Sequence, residues 1–129
     1  MSFDPRNTSV EALAYLGDSV LEVLVREHLL RSGLTRSIDL NREAQRFVTA
    51  RSQCAAMGTL EPLLGEEERQ IFRSGKNPGH LRPPSGVPIE TYRVATGMEV
   101  LFGRLYLDGK TERLSELFAL AYGLAETTS

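Results

Sequence analysis

Two carboxylates stand in helical segments where apolar packing would be expected to exclude them. Asp18 directly follows Gly17 and is flanked by Leu16 and Val20, inside the stretch from Glu11 to Arg26 that reads Glu-Ala-Leu-Ala-Tyr-Leu-Gly-Asp-Ser-Val-Leu-Glu-Val-Leu-Val-Arg. Glu99 sits in a second apolar segment, among Val94, Met98, Leu101, Phe102 and Leu105. A glycine inside a helix costs roughly 1 kcal/mol relative to alanine, and a carboxylate is expensive to bury unpaired. Both features ask for a functional reason. Helical spacing places Glu11, Ala14, Tyr15, Asp18 and Glu22 on one stripe, and Tyr92, Thr96, Glu99 and Gly103 on another. One carboxylate from each of two helices suits Mg²⁺-dependent phosphodiester hydrolysis. Mg²⁺ takes only one or two protein carboxylates, completing its shell with water and phosphate oxygens, and it acidifies water and screens charge on the phosphate. The competing reading is that each acid is separately paired with an arginine. Glu22 and Arg26, four apart, could form such a pair, worth about 0.3–0.5 kcal/mol.

The elements that must position these acids are helices. No segment alternates like a strand and no internal repeat or heptad run occurs, so the expected class is all-α. The 129 residues fit a single domain, 1–129. A first helix runs to about Arg31, capped by Asn7 or Thr8 and stopped at Gly33. Leu13, Leu16, Val20, Leu21, Leu24 and Val25 fill most of its circumference, which predicts a helix running through the core. A bent or broken pair of helices follows from Ser37 or Asp39, with the break near Thr49 to Arg51. Glu66, Glu67 and Glu68 open a short helix that reaches Phe72. Ile89 to about Leu107 forms the second strong helix, and Thr111 begins a last amphipathic one. Ser74 to Pro88 holds four of the six prolines and three of the eleven glycines, which predicts a long loop.

Composition excludes several classes. No apolar run approaches the roughly 20 residues of a membrane span, and the first residues lack the pattern of a signal peptide, so a cytoplasmic protein is the default expectation. The lone Cys54, with only His28 and His80, provides no zinc cluster. A net charge of −2 and a pI near 5.7 argue, taken alone, against a nucleic-acid partner. The distribution argues otherwise. Arg69, Arg73, Lys76, His80 and Arg82 fall in a stretch from Arg69 to Pro88 without any Asp or Glu, and local charge governs contact with phosphate.

Glu11 to Ser19 resembles the signature helix of ribonuclease III, and Thr96-Gly-Met-Glu-Val-Leu-Phe-Gly103 resembles that family's second acidic motif. Val48-Thr-Ala-Arg-Ser-Gln53, Gly75-Lys-Asn77 and Glu90-Thr-Tyr-Arg93 resemble the short Mini-III subgroup, so the likeness covers nearly the whole chain. The resemblance implies an all-helical homodimer cleaving double-stranded RNA with Mg²⁺, for which Mn²⁺ can substitute, and leaving 5′ phosphates. It implies maturation of precursor ribosomal RNA of the large subunit, in bacterial cytoplasm or plastid stroma. By position it makes Asp18 and Glu99 the metal-binding catalytic residues and gives Glu11 a supporting role. Ala14 and Thr96 stand where full-length enzymes carry further acids, which leaves Glu22 or water to complete coordination. Arg73, Lys76, His80 and Arg82 are the expected RNA contacts, with Arg51 and Arg93 as secondary ones. Binding is expected to come from the catalytic dimer itself, without a separate double-stranded-RNA-binding domain. The alternatives are a catalytically silent RNA-binding or ribosome-assembly module, given the two missing acids, and an unrelated helical interaction domain.

Overall fold

The computed structural model describes residues 3–78 and 82–124, and every regular element among them is helical. The α-helices are α1 (Val10–Arg31), α2 (Ser37–Val48), α3 (Ala50–Leu60), α4 (Glu66–Lys76), α5 (Ile89–Leu107) and α6 (Thr111–Ala121). Short 3₁₀ turns precede α1 and α4. The N-terminus of α1 is set by Ser9, whose hydroxyl accepts from the Ala12 N–H at 3.1 Å. That replaces the expected Asn7 or Thr8 cap, and Thr8 turns its hydroxyl inward instead. Gly33 ends α1 as expected, with φ of 99°. Thr49 makes the break between α2 and α3 and caps α3 through the Ser52 N–H at 3.1 Å.

The core is assembled around α5. Met98, Val100 and Leu101 on it are completely buried, and α1, α3, α4 and α6 pack against it. Glycines bring two of these partners unusually close. A Cβ on Gly17 would lie 1.7 Å from the Glu99 carbonyl oxygen, and one on Gly103 would lie 2.2 Å from that of Leu13. Backbone therefore touches backbone where α1 crosses α5. On the opposite side, a Cβ on Gly75 would meet Val100 at 2.6 Å, and one on Gly97 would meet the Phe72 ring at 2.7 Å. This corrects the expectation that α4 ends near Phe72. Ser74 to Lys76 continue the helix because Gly75 is a packing surface for α5 rather than a breaker, so α4 takes the first three residues of the expected loop.

Polar ties complete the frame. Arg113 of α6 bonds Glu68 of α4 at 2.7 Å, and Glu68 also accepts from the Gly65 N–H at 2.8 Å. The Tyr122 hydroxyl donates to the Phe47 carbonyl at 2.8 Å, within a cluster of His28, Phe47, Phe118 and Tyr122 rings. A second expectation is corrected on α1. Its inner side (Leu13, Val20, Leu21, Val25, Leu29) is buried, but it is not enclosed all round. Leu16, Val23 and Leu24 line an open groove with Tyr106 of α5 and Leu114 of α6. No helix among the described residues is long and apolar enough to cross a membrane.

Candidate active site

The α1–α5 crossing that requires Gly17 also sets the next residue of α1, Asp18, against Glu99 of α5. Asp18 is exposed at the rim, while Glu99 reaches into the crossing and is largely covered. The Glu99 pKa is pushed up to about 8, mainly by burial, then by the charge of Asp18 and a hydrogen bond with that carboxyl. Glu99, set against the Asp18 carboxyl, therefore retains its proton near neutrality. No Lys, Arg or His among the described residues forms an ion pair with either. The reading in which each acid has its own arginine therefore fails. A concentration of carboxylate oxygen without a counter-charge fits a hard divalent cation.

The remaining acids are placed differently. Glu22 is held by Arg26, whose Nε donates to Glu22 Oε2 at 3.2 Å, and no third Asp, Glu, His or Cys among the described residues joins an acidic pair. In this structure the partner of Glu22 is its i,i+4 neighbour on α1. Glu11 is exposed at the start of α1, Ala14 is half-buried, and Thr96 is buried one turn before Glu99.

The basic side chains divide into engaged and open ones. Arg69 bonds the Leu64 carbonyl at 3.1 Å and serves the α3–α4 connection. Lys76 pairs with Glu90 across the base of the loop, at 3.4 Å. Arg73, Arg82 and Arg51 are exposed with no acidic partner among the described residues. Arg93 is half-buried, and its Nε is buried with no hydrogen-bond partner. His80 lies outside the described residues. Sequence reasoning did not identify Glu90 as a member of this surface. Its signal was its position, the first acid after a long basic stretch.

The Ribonuclease III domain profile matches residues 11–110, a span that includes both acids and both crossing glycines. The chain is 47% identical to the Mini-ribonuclease 3 of Symbiobacterium thermophilum over 115 residues, covering 88% of each. It is 38% identical to that of Brevibacillus brevis, covering 98% of this chain and 94% of the relative. A crystal structure of a protein from Fusobacterium nucleatum superimposes with a TM-score of 0.81 at 28% identity, covering 95% of this chain and 98% of the other. Fold and matches together define the class as an all-α endoribonuclease. The chain belongs to the ribonuclease III family, in its Mini-ribonuclease 3 group.

Proposed function

We propose that this endoribonuclease cuts double-stranded RNA with Mg²⁺ held by Asp18 and Glu99. The observation that carries this reading is the contact between two carboxyl groups that no basic residue among the described residues pairs with. Holding the cation would require Glu99 to release its proton to solvent, while Asp18 is already exposed at the rim. A divalent cation at this position supplies a more acidic water and neutralises charge on the phosphate oxygens. Thr96, one turn before Glu99, and Glu11, two turns before Asp18, are the proposed supporting residues. Arg73, Lys76 and Arg82, with Arg51 and Arg93, take backbone phosphates, which position a duplex without reading its sequence. His80, outside the described residues, is a further proposed RNA contact from its place in the sequence.

The active form is proposed to be a homodimer joined through α1. Tyr15 and Val23 are 84% and 64% exposed on the helix that carries Asp18, beside the open groove with Tyr106. A second copy covering this apolar face would set two acid pairs on one assembly, suited to the two strands of a duplex. Sedimentation should give a mass twice the 14.3 kDa of the chain, and Val23→Asp should reduce it to a single chain with at least about tenfold slower cleavage. A wild type that sediments as one chain would refute the dimer. The proposed substrate is precursor ribosomal RNA of the large subunit, processed in bacterial cytoplasm or plastid stroma.

The direct test incubates wild type and Asp18→Asn with a long RNA duplex, in Mg²⁺ or in chelator. Cutting is expected only for the wild type in Mg²⁺, with Mn²⁺ able to replace it. Undiminished cutting by Asp18→Asn, or in chelator, would remove the site from the reaction.

A further inference from the structure

Lys76 is the last residue of α4 and Glu90 the second of α5, so their ion pair joins the two ends of the 77–88 segment. The side chains are 31% and 64% exposed, which leaves the pair within reach of an anion arriving from solution. Arg93 follows Glu90 by three residues and therefore neighbours it on the surface of α5. Its Nε is buried, and among the described residues it has no hydrogen-bond partner and no acid pairs with its guanidinium. A half-buried cation in that condition is costly unless an anion reaches it. Glu90 supplies the only carboxylate paired with either cation among the described residues.

We propose that Lys76 and Arg93 form a phosphate subsite in which Glu90 is an internal stand-in, displaced by a backbone phosphate when duplex RNA binds. The proposal rests on the RNA-cleaving reading above and adds to it a residue that opposes binding. One exposed ion pair contributes little, because water and salt screen it and two long side chains must be fixed to make it. A duplex phosphate has the advantage that its contact with Lys76 releases a condensed counterion. The displaced Glu90 carboxylate stays close by and continues to repel the phosphate, so this residue keeps the subsite weak.

Binding of a long RNA duplex is measured by fluorescence anisotropy in chelator, between 50 and 200 mM KCl, on wild type and variants. Glu90→Gln is expected to bind about 2- to 5-fold tighter at the lowest salt. Its logarithmic salt slope should stay close to that of wild type, because the same Lys76–phosphate contact forms in both. Glu90→Asp keeps the charge and should bind as wild type does. Lys76→Gln with Glu90→Gln should lose the gain, and Glu112→Gln, which removes an exposed α6 charge, should not show it. The subsite is overturned if Glu90→Gln matches wild type or Glu112→Gln, or if its gain survives the loss of Lys76. A wild type that binds no RNA duplex would overturn the RNA reading, and the subsite with it. Duplex binding that is insensitive to Glu90 would overturn the subsite alone.

Discussion

Glu99→Gln is expected to melt at a higher temperature than wild type at pH 8, yet to cleave duplex RNA about three orders of magnitude more slowly. The two effects have one origin. The folded protein holds the Glu99 proton up to a pH of about 8, whereas an unperturbed glutamate releases it near 4.5. Between those values the native state binds more protons than the unfolded chain, so the stability associated with Glu99 is full below pH 4.5 and is lost as pH rises through 8. At pH 8 and above the uncompensated charge costs the apo protein on the order of 1–3 kcal/mol, allowing for relaxation around the pair. Glutamine keeps the shape and can donate to Asp18, but it carries no charge at any pH. The variant should therefore gain several degrees at pH 8 and almost nothing at pH 5. Its loss of activity, roughly 4 kcal/mol of transition-state stabilisation, follows from removing one of the two anionic ligands of the proposed centre. Adding Mg²⁺ should raise the melting temperature of wild type and leave that of the variant nearly unchanged. Melting curves for both proteins at pH 5 and pH 8, with and without Mg²⁺, decide the matter. Equal stability at pH 8 would mean that Glu99 is not under electrostatic strain.

The same residues show which parts of the molecule could be read from sequence. Asp18 and Glu99 were legible because charge on an apolar helix is costly wherever the helix packs, so their significance did not depend on knowing the partner. The stop of α1 at Gly33 and the break at Thr49 were legible because capping chemistry is local. Gly75 was misread for a related reason. Its neighbours in sequence, Lys76, Asn77 and Pro78, favour a loop, and what keeps it helical is Val100, twenty-five residues away. The circumference of α1 was also misread, since apolar residues on all sides are equally the pattern of a helix enclosed by its own chain and of one with a side left open. Leu16, Val23 and Leu24 are on the open side. Lys76 and Glu90 fall in separate elements, so the stretch without acids looked more purely cationic in sequence than it is in space. Gly17 was recognised as a cost without a cause; the cause is the Glu99 carbonyl, supplied by the other motif.

That contact sets up the second large effect, in Gly17→Ala. In isolation the substitution should strengthen α1 by roughly 1 kcal/mol, because alanine is the better helix former. Here the new methyl would sit 1.7 Å from Glu99 O, 2.5 Å from its carbonyl carbon and 2.9 Å from its Cα. These are backbone atoms of a buried helix, so no rotamer change relieves the overlap, and Gly103 against Leu13 O blocks relief by sliding along α5. The helices must separate, opening the most tightly packed part of the core. We expect a net destabilisation of about 3–5 kcal/mol, which lowers the melting temperature by roughly 10–20 °C. Gly58→Ala is the contrasting substitution. Gly58 is exposed on α3 with nothing within 4 Å of the added Cβ, so there alanine should stabilise by about 0.5–1 kcal/mol. The functional consequence separates this clash from ordinary core damage. Separation of α1 from α5 moves Asp18 away from Glu99, so cleavage measured well below the lowered melting temperature should still fall by at least about a hundredfold. If Gly17→Ala melted within a few degrees of wild type, or cut at the wild-type rate while folded, the backbone contact would not be what holds the two carboxylates together.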